Sequence, residues 1–120
     1  METEEVIERM YWAFNARDGE RVLGVMHPDV DWPNGMEGGR VIGRDAVRAY
    51  WTRQWGMIDP IVEPRRLRRM ADGRVAVDVH QVVRDLTGTV LKQEMVRHVY
   101  AFEDGLIRSM QIQAASEAPT

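Results

Sequence analysis

Asp78, His80 and Arg97 are the side chains best suited to chemistry in this 120-residue chain. Asp78 and His80 stand two apart in an alternating run over 74–85, so a strand there carries both on one face. Arg97 lies in the next such run, over 89–103. An acid, an imidazole and a guanidinium that meet in an apolar setting can move a proton. His80 would act as base, and Arg97 would stabilise an enolate-like oxygen. Their meeting depends on the turn around Thr87-Gly88. A two- or four-residue loop sets Asp78 opposite Arg97 and His80 opposite Met95. A three-residue loop with a glycine bulge at Gly88 flips one strand's register and separates them. Val75, Val77 and Val79 then face the core, and Asp78 and His80 face solvent or a partner. The spacing leaves both registers open.

Other chemistries find less support. The chain has no cysteine, which excludes thiol catalysis, disulfides and cysteine-ligated metals. His27 precedes a proline, and His80 and His98 lie on different runs without paired-ligand spacing, so no metal site is expected. Gly38-Gly39 precedes no Lys-Ser/Thr pair, and no serine sits in a nucleophile elbow. Arg65, Arg66, Arg68 and Arg69 form a basic cluster around Leu67. With 16 basic against 19 acidic residues and a net charge of -3, it reads as a solvated strand edge, not as a nucleic-acid surface. No apolar run approaches the ~20 residues of a membrane helix. Met1 leads straight into acidic residues instead of a basic and then apolar leader, so a cytoplasmic location is the default expectation. No cofactor is expected. Trp12, Trp32, Trp51 and Trp55 all lie in the first half. They suit an aromatic ligand pocket or, equally, a small core.

The elements that must position these residues follow from periodicity. Val6, Ile7, Met10, Tyr11 and Phe14 form a helical stripe over 3–17, with Thr3 as cap and Glu4 and Glu5 in the first turn. Asp18-Gly19 ends it, and a short helix over 20–26 stops before Pro28. A brief strand over 30–32 and a glycine-rich loop or small hairpin over 36–43 precede a third helix. That helix carries Val47, Tyr50, Trp51, Trp55 and Ile58 on its stripe. From Pro60 the period becomes two, predicting strands over 61–70, 74–85, 89–103 and 106–114 with glycine-bearing turns between them. Helices first and an antiparallel meander afterwards predict an α+β fold, with helices packed on one face of a curved sheet. The expectation is a single domain over 1–115 and a polar tail over 116–120.

Several strings in this order resemble the nuclear transport factor 2-like superfamily, which includes ketosteroid isomerase and the SnoaL-like polyketide cyclases. They are Ala13-Phe14-Asn15-Ala16-Arg17-Asp18, Asp29-Val30-Asp31-Trp32-Pro33, Ile42-Gly43-Arg44-Asp45-Ala46-Val47, and His98-Val99-Tyr100-Ala101-Phe102-Glu103-Asp104-Gly105-Leu106-Ile107. The resemblance implies a cone: a bent sheet wraps three helices and leaves an apolar pocket at its open end. It implies that Asp78, His80 and Arg97 point into that pocket. Met10, Tyr11, Phe14, Trp32, Trp51, Trp55, Val82, Met95, Met110 and Ile112 are the implied ligand-binding residues. The ketosteroid isomerase triad is not reproduced. Met10 falls at its tyrosine, Trp32 at its base and Arg97 at its late aspartic acid. The functional expectation is a cofactor-independent isomerase, cyclase or lyase acting on a small apolar carbonyl compound. The alternative is a non-catalytic domain that binds a hydrophobic ligand. A homodimer through the outer sheet face is also implied, with Ser109, Gln111, Gln113, His98 and Tyr100 outward. Glu94 beside Lys92 would make a wet rim.

Overall fold

The computed structural model describes residues 3–114, so the expected tail over 116–120 lies outside the described residues. Three helices and six strands follow in the order α1 (Thr3–Asn15), α2 (Gly19–Leu23), β1 (Met26–Pro33), β2 (Arg40–Ile42), α3 (Arg44–Trp55), β3 (Asp59–Arg69), β4 (Val75–Arg84), β5 (Val90–Glu103) and β6 (Leu106–Ala114). The strands form one sheet in the order β2-β1-β6-β5-β4-β3. Only the β1–β6 pair is parallel; the rest are antiparallel. This is the expected α+β fold.

Helix α1 buries Val6, Ile7, Met10 and Tyr11, the stripe its spacing predicts. Its C-terminal end is tied to the sheet edge. Asn15 donates to the Val62 carbonyl at 2.7 Å and accepts from the Val62 amide at 3.0 Å. Edge strand β3 tolerates Pro60 and Pro64 because its outer side has no ladder to complete. Helix α2 is shorter than expected. It ends at Leu23, and the chain is extended from Met26, where β6 offers a parallel partner: Met26 sits opposite Ile107.

The β4–β5 hairpin resolves the register in a way neither simple alternative describes. Asp85 and Thr89 close a three-residue loop, with Gly88 at φ +96°. Leu91 then has no partner, because Val83 faces Lys92 while Arg84 faces Val90. This second irregularity undoes the first, and Asp78 lies opposite Arg97 and His80 opposite Met95. The faces are nevertheless those of the bulged reading. Val75, Val77 and Val79 are completely buried beneath the helices. Asp78, His80, Val82, Met95 and Arg97, which alternate with them, are on the outer face.

Candidate functional site

The inner face of β4–β6 and the facing sides of α1 and α3 enclose a cavity of about 260 Å³. Met10, Tyr11 and Phe14 reach it from α1, Trp32 from β1, and Tyr50, Trp51 and Gln54 from α3. Gln81, His98, Tyr100, Met110 and Ile112 line it from the sheet. Aromatic rings make the floor rigid. Trp32 meets Trp51 edge-on at 5.7 Å, and Phe14 meets Trp51 likewise at 5.7 Å.

One hydrogen-bonded set of three polar side chains is buried together in this wall. Tyr100 donates to the Tyr11 hydroxyl at 2.6 Å, and the Tyr11 hydroxyl lies 2.7 Å from His98 Nδ1. With Tyr11 accepting from Tyr100, donation of its own proton to Nδ1 pairs both hydroxyls, and this assignment puts the imidazole proton on Nε2. No described residue bonds Nε2, and His98 lines the cavity. That N–H is left for an occupant. The Tyr11 ring stacks on the imidazole at 5.9 Å, which fixes the ring plane. Burial penalises the charged imidazolium and lowers the His98 pKa to about 4. Burial likewise pushes both the Tyr11 and Tyr100 phenols well up. At neutral pH all three are uncharged. The array is a fixed, uncharged hydrogen-bonding group in the cavity wall.

The expected catalytic group is elsewhere. Arg97 Nε donates to Asp78 Oδ1 at 2.8 Å on the outer face, beside Arg66 and Arg68. The recess there holds only about 10 Å³, too little for a substrate. His80 is half-buried on the same outer face, opposite Met95 and Glu63. Asp78, His80 and Arg97 therefore do not line the cavity. The reason is parity: one residue along a strand exchanges faces. The same parity corrects His98 and Tyr100, expected outward and found 5% and 0% exposed against the helices. Val82 and Met95 face outward as well.

Met10, Tyr11, Phe14, Trp32, Trp51, Met110 and Ile112 do line the cavity. Trp55 does not. It stacks against Trp51 at 5.9 Å and lies under the Arg17 guanidinium at 5.6 Å, on a separate recess. Trp12 is 65% exposed. Sequence reasoning missed Tyr50, Gln54, Gln81, His98 and Tyr100 as lining residues. The signal that finds the sheet members is the valine triplet of β4: its uncharged alternation marks the inner face, and β5 inherits that face through the ladder.

His27, Glu103 and Asp104 are the one group of possible metal ligands among the described residues. They do not suit a cation. His27 Nδ1 accepts the Asp29 amide at 3.0 Å, which leaves the proton on Nε2, 3.2 Å from Glu103. Arg108 also contacts Glu103, at 3.4 Å.

A family model described as SnoaL-like domain matches residues 7–110. Among solved structures, TerC co-crystallised with polyporic acid is 30% identical, with 90% of this chain and 87% of that chain covered and a TM-score of 0.78. An NTF2-like protein of unknown function from Burkholderia pseudomallei is 26% identical, with coverage of 92% and 88% and a TM-score of 0.80. A Mycobacterium tuberculosis protein in complex with estradiol-17beta-hemisuccinate shares the fold at 18% identity, coverage of 89% and 88%, and a TM-score of 0.77. No match is found among curated protein sequences. With a profile match across most of its length and the same helix-then-sheet architecture, the chain belongs to the SnoaL-like family of the nuclear transport factor 2-like superfamily.

Proposed function

We propose that the cavity takes a small apolar carbonyl compound and promotes its isomerisation or ring closure without a cofactor. The observation that carries this is the Tyr100–Tyr11–His98 chain, which ends in a neutral Nε2–H inside an apolar cavity. A donor held there strengthens as negative charge grows on a carbonyl oxygen, and it needs no reorganisation at the moment of reaction. A neutral imidazole suits that electrophilic role better than the role of base. Water at the open end of the cavity receives the carbon-bound proton, since Glu94 on β5 stands four residues from His98 and outside the lining. Neighbours crystallised with polyporic acid and with a steroid ester support small-molecule binding.

The test is deuterium uptake next to the carbonyl of 1-indanone in D₂O, followed by proton NMR. The protein should accelerate uptake, and His98→Leu should lose about 10²-fold of that acceleration. Asp78→Asn, on the outer face, should retain it. The second reading is a non-catalytic ligand-binding domain. In its favour, no carboxylate lines the cavity itself among the described residues. Binding of the ketone, seen by tryptophan fluorescence, without any uptake of deuterium would decide for it.

The outer sheet face supports a further part of the reading, a homodimer. Met95 is 42% exposed there, and Ser109, Gln111 and Gln113 place uncharged groups on β6. Sedimentation at micromolar concentration should give twice the chain mass, and Gln111→Arg should shift the particle toward one chain.

A further inference from the structure

The open end of the cavity is rimmed by apolar side chains that the fold leaves uncovered. Asp59 pairs with Arg84 where the β3–β4 ladder ends, so Met57, two residues before, and Leu86, two residues beyond, leave the same end of the sheet. Val90 pairs with Arg84 on the other side, and Leu91 is the residue without a partner. These four side chains are 53% to 62% exposed. Val83 and Lys92, one step further into the ladder, line the cavity, so the hairpin tip stands at its mouth. Ile112, also a lining residue, is 45% exposed. Five of the eight large apolar side chains exposed among the described residues thus surround one opening. Scattered apolar residues on a surface are ordinary, whereas a cluster at the mouth of an apolar cavity marks an interaction site. The charges around the opening are balanced. Arg17 and Arg84 both pair with Asp59, and Lys92 pairs with Glu94 at 3.0 Å. Asp85 is held inside the turn, accepting from the Thr87 hydroxyl at 2.6 Å and from the Thr89 amide at 3.0 Å. The tip is also narrow. Every residue from Leu86 to Gln93 is exposed, and no neighbour lies within 4 Å of where a side chain at Gly88 would start.

We propose that this rim docks on a neutral lipid surface, with the hairpin tip set into the headgroup layer and the cavity mouth facing the acyl chains. An apolar ligand then passes between bilayer and cavity without crossing water. Three features select a lipid surface over a protein partner. A projecting two-stranded tip offers little area against the roughly 800 Å² per partner of a stable protein interface. Its charges cancel, so it has no field to complement a charged partner and suits a zwitterionic headgroup layer. Leu86, Val90 and Leu91 are interleaved with the hydroxyls of Thr87 and Thr89, the mixture of groups that the headgroup boundary accommodates. The contact is peripheral and reversible, because only a few side chains enter the lipid. The inference goes beyond the carbonyl reading and takes from it only that the ligand is apolar.

The experiment is flotation of the 120-residue chain with vesicles of phosphatidylcholine alone. The wild-type chain should float with them. Its partition should change less than about twofold when about 30% of the lipid is phosphatidylserine, or when salt is raised to about 0.5 M. Leu86→Ser and Leu91→Ser, two independent variants, should each weaken the partition about tenfold, the effect of withdrawing one leucine from the acyl boundary. Ile42→Ser removes a comparably exposed side chain from β2, at the far edge of the sheet, and should leave the partition unchanged. A wild-type chain that stays unbound at about 10 mM phosphatidylcholine overturns the proposal. Binding that requires phosphatidylserine and disappears in salt overturns it too, since the contact would then be made by arginines. An equal loss from Ile42→Ser has the same consequence. Self-association in sedimentation that Leu86→Ser abolishes gives the tip to a second copy of the chain, against the lipid surface. These measurements contain no carbonyl substrate, so deuterium uptake by 1-indanone stands or falls separately.

Discussion

The two faces of the β4–β5 ladder solve opposite electrostatic problems with residues one position apart. Inward, His98 and Tyr100 lie among completely buried valines, and with Tyr11 they form an uncharged hydrogen-bonded chain. Outward, Asp78 and Arg97 form an ion pair at 2.8 Å with side chains 21% and 11% exposed. A facing opposite charge separates the two cases, since Arg97 is itself 9% exposed and His98 5%. Under the helices the local medium lowers the imidazole pKa to about 4, whereas beyond the sheet the Arg97 guanidinium faces the carboxylate. A functional reading that searches for charged groups is drawn to the outer face. The cavity lies on the opposite face.

The contrast can be broken most severely by moving a charge across the sheet. Val77→Asp places a carboxylate at a completely buried position with no partner, and a loss of more than ~4 kcal/mol, read from urea midpoints, is expected. A stable, soluble Val77→Asp protein would mean that water reaches the inner face. Next in size is the proton linkage of His98. Its folded pKa is lowered, so between about pH 6.5 and 4 the unfolded chain binds more protons, and stability falls as pH falls. The contribution lost across that window is on the order of 2–4 kcal/mol. His98→Leu should flatten that part of the stability–pH curve while the carboxylate-driven decline at lower pH persists.

Smaller again is Tyr11→Phe. It leaves the Tyr100 proton and His98 Nδ1 without their shared partner, at a cost of about 2 kcal/mol in thermal or urea unfolding. Their existing separation of 3.5 Å sets the limit: if they close directly on one another, the cost falls below about 1 kcal/mol. The mildest change is Asp78→Asn. It keeps the shape of the outer pair and removes its charge, with an expected loss of about 0.5–1 kcal/mol that shrinks in high salt. A cost as large as that of Tyr11→Phe would erase the distinction between the faces.

The fold was legible because its signals are periodic and redundant. The stripe of α1, the stripe of α3 and the glycine turns at Gly73, Gly88 and Gly105 each repeat the same message. The site was only half legible. Met10, Tyr11, Phe14, Trp32, Trp51, Met110 and Ile112 line the cavity as the resemblance implies. Strand residues failed where a one-position error exchanges faces, which moved Asp78, His80, Val82, Met95 and Arg97 out and His98 and Tyr100 in. Gln54 carried no signal of its own. A polar residue on a helical stripe reads as an interruption of the core until its neighbours are seen to leave its oxygen unpaired. The second irregularity at Leu91 was also hidden, since a bulge inside a strand has no obligatory glycine.

That unpaired Leu91 gives the hairpin an arithmetic that any later change in its length must obey. Removing one residue on either side of the tip trades the inner set of β5 for the outer set, placing Arg97 under the helices and Tyr100 in water. Adding or removing two residues preserves the faces. Point changes in the wall retune the pocket gradually, while an odd insertion or deletion at the tip exchanges the faces unless a second bulge, as at Leu91, absorbs it. The ladder works as a reading frame in three dimensions: an even edit of this loop is silent, and an odd one is silent only where a bulge restores the frame.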